Sequence, residues 1–346
     1  MAIHQPSWFS NDNIMVSTAP TCGLTKGGRL LPKIDATSGK RIQVADPETN
    51  ELVDAVDDQL LLDMQSLRAG LETETLRFVP VEEVSMRLAV PIYHDRRFHE
   101  RFRSAMLTEK FAGFTSASLG ELIKEGMVEV RSGHGSPSHD ERVGEVPYIK
   151  VSDLRAGLIN INPTNRVPFS VARQYWKGPS SGLRAYDLAC PERTSKNIGD
   201  FCLLMPGQEQ VVMTREIIIL RAGAEAPFGQ FYLIWAMTLN IVRDQWKRIV
   251  FMQTNREDVG GRFLEIEIPI PPNKFAADKV SAAFRAYYTT IAEARKEIST
   301  YLRLASDHHF FVSGVEETTP NASGLEDDTA GTAVDMPAET AVGSGK

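Results

Sequence analysis

The chain has 346 residues, 42% of them hydrophobic, and a formal charge of −7. That composition belongs to packed modules with tails and excludes a wholly disordered chain. There is no run of about eighteen apolar residues to cross a bilayer. The opening MAIHQPSWFSNDN lacks the basic-then-apolar order of a secretory signal, so a cytoplasmic location is expected. Cys22, Cys190 and Cys202 are scattered without CxxC spacing and read as free thiols, with neither a disulfide framework nor a metal site.

The acid is unevenly spread. Residues 1–89 hold 8 Lys+Arg against 13 Asp+Glu (−5), residues 90–275 hold 24 against 21 (+3), residues 276–312 hold 5 against 4 (+1), and residues 313–346 hold 1 against 7 (−6). The middle is mildly basic, which is compatible with nucleic-acid binding without demanding it.

In chain order, residues 14–45 read as short strands and turns, broken at Gly27-Gly28, Ser38-Gly39 and Asp46-Pro47. An amphipathic helix is expected over 50–73, with Val53, Val56, Leu60, Met64, Leu67 and Leu71 on one stripe. A strand follows near Leu76–Val79, then a charged helix across Arg96–Met106. Residues 118–270 carry short β-like runs at Met127–Val130, Val146–Val151, Leu203–Met205, Ile217–Leu220 and Phe263–Ile270. One apolar core helix, Phe228–Val242, lies among them, so the class is α+β.

After Pro271-Pro272, Val280, Phe284, Tyr287, Ile291, Ala294, Ile298, Tyr301 and Ala305 alternate four and three residues apart. This is an a/d seam on a helix of roughly 30 residues, about 45 Å long. Its partner is either the Val53–Leu71 stripe or a helix of another protein; packing on its own domain is the plainer alternative. From Ser313 to Lys346 the composition predicts a disordered acidic tail.

Catalytic constellations are lacking in the sequence. Asn162-Pro163 has neither the second proline nor the aromatic residue of an amino-methyltransferase pocket. Glu265-Ile266-Glu267 has no acidic partner or following lysine for a metal-dependent nuclease, and reads as a strand with one solvated face. His134 and His139 fall in a Gly/Ser/Pro loop, and His308-His309 at a helix end; both read as structural or surface residues. Neither a cofactor nor a metal is called for.

Ser118–Gly126 (SLGELIKEG), Glu145–Gly157 (EVPYIKVSDLRAG), Ile198–Gly207 (IGDFCLLMPG) and Phe263–Pro272 (FLEIEIPIPP) come in that order ahead of the long helix. The series resembles the target-recognition domain and spacer helix of type I restriction-modification specificity subunits. The usual member has two such domains and two long helices, so this chain looks like a half-subunit. The resemblance implies a recognition domain of short strands and helices (91–272) followed by a coiled-coil helix (273–307); the pattern and composition add a smaller N-terminal module with an amphipathic helix (1–90), whose residues 1–86 match nothing in that family, and the acidic tail (313–346).

It further implies a non-catalytic subunit that reads double-stranded DNA for a separate DNA methyltransferase and a nuclease or translocase subunit. A homodimer or a sister specificity chain would complete a bipartite target. Loops flanking the signature strand within Glu145–Gly157, the polar run that follows and the polar run before the last strand would supply the DNA contacts: Lys150, Ser152, Arg155, Arg166, Arg173, Gln174, Tyr175, Lys177, Arg184, Arg193, Lys196, Asn255, Arg256 and Arg262. Asn197 and Gln253 lie in the same polar runs, and Asp153 and Asp200 read as turn or cap residues. The competing reading is a protein–protein adaptor that uses the same domain and helix without reading DNA.

Overall fold

The computed structural model describes residues 13–84, 89–139, 142–193, 196–250 and 259–304. The N-terminal module pairs β1 (Asn13–Ser17) with β4 (Leu76–Pro80), antiparallel, Met15 opposite Phe78. Between them lie the hairpin β2 (Gln43–Ala45) and β3 (Leu52–Asp54), then α1 (Gln59–Arg68). The expected 50–73 helix is therefore wrong in its first third. Val53 and Val56 are β-branched and fall on extended backbone, while the Asp58 carboxylate accepts the Leu61 N–H and starts the helix there.

The lead-in α2 (Arg97–Met106) buries Phe98 and Phe102. It is followed by β5 (Thr115–Ser118), α3 (Leu119–Lys124) and β6 (Val128–Ser132). Ser118 and Glu121 form a reciprocal cap that sets the start of α3. Then come β7 (Val146–Ile149), β8 (Leu154–Arg155), β9 (Leu158–Ile159), β10 (Arg166–Val167) and α4 (Phe169–Tyr175). Next are β11 (Leu188–Pro191), β12 (Cys202–Leu203), β13 (Val212–Met213) and β14 (Ile217–Ala222).

Six strands form the main sheet in the order β6-β14-β11-β12-β9-β8, antiparallel except for β12 with β9. A smaller sheet has the order β10-β7-β13. The α+β class stands.

The apolar run Phe228–Val242 is two helices, α5 (Gln230–Thr238) and α6 (Asn240–Ile249), because Leu239 takes extended backbone (φ −60, ψ 132). Phe263–Ile270 is likewise not one strand: Gly260–Glu265 is a 3-10 turn and only β15 (Glu267–Ile270) pairs, with β5. Glu265 accepts from Arg248 (2.6 Å) and from the Tyr93 hydroxyl (2.6 Å). The supposed solvated acid thus ties Tyr93, just ahead of α2, to Arg248 of α6.

The helix α7 (Lys274–Leu304) runs 31 residues, about 46 Å. Its seam residues divide. Val280, Phe284 and Ile291 pack on the chain's own main core, whereas Tyr287 and Tyr301 stay half exposed and Ala294 is exposed. Tyr288, one residue off the seam, is buried, and its hydroxyl donates to Gly157 O in the β8–β9 turn (3.0 Å). Gly157 sits at φ +75, in the left-handed region that favours glycine.

Candidate nucleic-acid interface

β6 ends opposite the start of β14 (Ser132 with Ile218), and β11 ends there too (Pro191 with Ile217). Three connections therefore leave from one end of the main sheet: the 132–145 loop, the 192–201 loop and the turn before β14.

At that end sits a separate small core. Val146, Tyr148, Val167, Val171, Ala172, Trp176 and Val212 pack together under α4. Burial of each such side chain contributes roughly 1.5–3 kcal/mol, enough for this minor cluster to hold a fixed shape on the main domain. Trp176 Nε1 donates to Val211 O (3.0 Å), satisfying the one polar atom of the ring.

The Gly/Ser loop is clamped against this core. Gly133 N–H donates to Ile217 O and His134 N–H to Met213 O, both at 2.8 Å. The His134 ring is a structural link: Nδ1 accepts the Met213 N–H (2.9 Å), so Nε2 carries the proton and donates to Ser181 O (2.9 Å). Burial holds its pKa below the ordinary imidazole value, with nearby Arg131 adding to the effect, against the Ser181 carbonyl bond that favours charge. A Cβ on Gly135 would overlap the Tyr175 ring, so only glycine lets loop and α4 approach.

The expected DNA-contact residues fall into groups on this frame. Lys150 and Arg142 flank the buried Tyr148 ring at 5.9 and 5.3 Å, and Lys150 Nζ donates to Asn165 Oδ1 (2.9 Å). Arg166 is tied down through Pro163 O (3.1 Å) and Glu145 O (3.3 Å). Ser152 and Arg155 are exposed next to each other, with Arg155 Nε donating to Ser152 O (2.8 Å). On α4 and just beyond it, Arg173, Gln174 and Lys177 are exposed and Tyr175 half-buried; Arg173 lies over the Phe169 ring at 4.7 Å.

Asp153 is a cap residue, its carboxylate accepting the Lys150 N–H (2.8 Å); burial raises its pKa despite that bond. Arg193 and exposed Lys196 leave the same sheet end on the 192–201 loop. Arg184 lies apart, in the turn that enters β11 from its other end. Arg262 is in the Gly260–Glu265 turn, its Nε on Ile249 O (3.0 Å). Asn255, Arg256 and Gln253 lie outside the described residues, as do Ala305, His308, His309 and the acidic tail.

Two cations went unread in the sequence. Lys196, Asn240, Arg243, Trp246 and Lys247 line a cavity of about 560 Å³ along one face of α6. Arg243 pairs with Asp200, and Lys247 with Asp244 (2.6 Å). Their i, i+4 spacing on a helix is the signal that could have found them, had the break at Leu239 been seen.

The turn Ser181–Asp187, which receives His134, is itself anchored by a buried pair. Arg221 donates to Asp187 at 2.7 and 2.6 Å, and to Gly182 O at 3.2 Å. Cys190 and Cys202 are buried, the Cys202 thiol pushed up to about 12 by burial, so neither is a thiolate nucleophile. Among the described residues no three His, Cys, Asp or Glu side chains cluster to hold a metal, and no helix is long and apolar enough to cross a membrane.

No protein-family model and no curated protein match the chain. Three solved structures are similar to it in arrangement. One is the type I restriction-modification S subunit from M. genitalium (10% identity, 55% of this chain and 42% of that one, TM-score 0.36). A second is the HsdS subunit from Thermoanaerobacter tengcongensis (12% identity, 67% and 56%, TM-score 0.34). The third comes from a study of complex assembly and conformational transition in the type I R-M system (14% identity, 66% and 58%, TM-score 0.34). The chain thus spans about half the length of these proteins. At these values the likeness is a loose one of layout.

Proposed function

We propose that the chain is the sequence-specific DNA recognition subunit of a restriction-modification or phage-defence complex. The observation that carries the reading is the group of exposed Arg173, Gln174 and Lys177 on α4 and just beyond it, backed by their own small core, with exposed Lys196 on the loop that leaves the same end of the main sheet. These side chains can contact phosphates and base edges, and they stand on a support that keeps its shape. In this reading the subunit is non-catalytic, and among the described residues no three His, Cys, Asp or Glu side chains cluster beside these positions. A separate DNA methyltransferase, and a nuclease or translocase, would do the chemistry.

One domain reads a few base pairs. A bipartite target needs a second copy or a sister chain at fixed separation, and the outward residues Tyr287, Ala294 and Tyr301 of α7 suit a contact with such a partner. The length of α7 exceeds one duplex turn of roughly 34 Å, as a ruler between half-sites requires. The test is selection of bound duplexes from a random library by the full chain, followed by binding over a salt series. An enriched motif and a steep salt dependence support the reading. Equal binding of all duplexes, or none with the methyltransferase present, would refute it.

A further inference from the structure

The module without an assigned role has a surface unlike that of a finished monomer. No side chain within residues 24–62 is buried. Yet Leu24, Leu30, Ile34, Leu52, Leu61 and Leu62 are 49–70% exposed.

The backbone there is well satisfied. Three strand segments meet in a ring of hydrogen bonds, from Lys33 N–H to Ala55 O (2.7 Å), Ala55 N–H to Ile42 O (2.8 Å) and Ile42 N–H to Lys33 O (2.9 Å). Two hairpin arms project from the ring, tipped by the turns 35–39 and 46–51. A small β-ribbon with no buried face is marginal alone, so its order calls for a covering surface.

The helix beside it is inside out. Asp63 is buried and accepts from the hydroxyls of Ser17 (2.6 Å), Thr75 (2.7 Å) and Thr73 (2.9 Å). Leu60, Leu61, Leu62 and Met64 of the same helix are exposed. A helix whose buried residue is a carboxylate and whose leucines are half exposed around it leaves apolar surface that wants a cover.

Charge decides the occupant. Residues 26–41 hold five Lys and Arg against one Asp (+4), while residues 46–58 hold six Asp and Glu and no Lys or Arg (−6); Arg41 and Asp54 pair within the chain (2.7 Å), which leaves +3 and −5 for a partner. A partner of one sign, whether a nucleic acid, an anionic membrane or a uniformly basic protein, would be attracted by one part and repelled by the other. A second copy placed about a two-fold axis sets basic against acidic twice over.

The area is adequate. Twelve large apolar side chains between Leu24 and Leu71 are exposed. At about 100 Å² of apolar area for a whole side chain, half-exposed ones offer roughly 600 Å² per copy. With an apolar share of about 60%, covering all twelve would make a footprint of at most roughly 1,000 Å² per copy, so a contact that covers most of them reaches the ~800 Å² per partner of a standard interface.

We infer that the N-terminal module is a self-association module, two copies meeting through the α1 leucines and the oppositely charged ribbon segments. This stands independently of the DNA reading. It also gives one particle two recognition domains without using α7.

The test is the mass of the full chain by sedimentation equilibrium across a concentration series, with circular dichroism as the folding control. The expected result is a dimer that Leu61→Glu/Leu62→Glu weakens about a hundredfold. Glu48→Lys/Glu51→Lys and Lys26→Glu/Arg29→Glu/Lys40→Glu each weaken self-association, and an equimolar mixture of these two charge variants restores the dimer. A monomeric wild type overturns the inference. So does a dimer that survives the leucine substitutions, a mixture that stays monomeric with both variants folded, or a dimer lost only on Tyr287→Glu/Tyr301→Glu in α7.

Discussion

Replacing Arg173, Lys177 and Lys196 together by alanine puts a number on the proposed interface. All three are exposed at the loop-bearing end of the sheet, and Arg173 rests on the Phe169 ring at 4.7 Å. None belongs to the small core, so the folded state should lose no more than about 0.5 kcal/mol per site. Each phosphate contact removed lowers the slope of log K against log salt by about 0.9, so the triple variant should be shallower by about 2.7. At about 0.1 M salt the same loss of counterion release weakens binding roughly 10²–10³-fold. Fluorescence anisotropy with a labelled mixed-sequence duplex, titrated at several salt concentrations, reads both quantities. A folded variant with the wild-type slope would refute the placement of DNA on this end of the sheet.

Asp187→Ala removes the close, two-point carboxylate partner of buried Arg221, leaving only Glu129 at 3.4 Å, and should cost about 3 kcal/mol in urea unfolding; a loss below ~1 kcal/mol would mean that Glu129 or water takes over the guanidinium. His134 has a folded pKa below its ordinary 6.5, so the unfolded chain binds more protons there. Its contribution to stability is present above about pH 6.5 and is lost as pH falls below it. Since the His99 pKa is also lowered by burial, His134→Gln should reduce, not abolish, the acid-side slope of melting temperature against pH. Gly135→Ala forces the Tyr175 ring aside, and both melting temperature and DNA affinity should fall; unchanged affinity would mean that α4 keeps its pose without the clamp.

Local rules fixed the elements whose ends are chemically marked. Pro271-Pro272 and a sustained four-three spacing set α7, and Ser118 with Glu121 set α3. Where two periods fit the same residues, the sequence misled. Val53, Val56 and Leu60 suit a helical stripe, but β-branching and the Asp58 cap put the boundary later. The break at Leu239 carries neither proline nor glycine, so no local signal marked it. Phe284 and Ile291 were legible as a seam but not for its partner, because the surface they meet is the chain's own core, assembled from distant segments. For the same reason Lys196 could be read as a candidate, whereas its convergence with Arg243 and Lys247 could not.

The frame beneath the candidate interface separates residues that hold from residues that can read. Lys150 is spent on Asn165 and the Tyr148 ring, and Arg166 on two backbone carbonyls. Moving either alters the loop's shape before it alters any contact. Gln174 and Lys177 carry no such duty in the described structure and stand exposed on α4 and at its end. Because the Trp176–Val211 bond and the small core under Val171 and Ala172 keep α4 in place whatever those side chains are, exchanging them should change which duplex is preferred while leaving unfolding untouched. The reverse pattern, altered stability with unaltered preference, is what Lys150→Ala and Arg166→Ala should give. That split is what the proposed DNA-reading role needs, since a target can then change without the domain having to find a new fold.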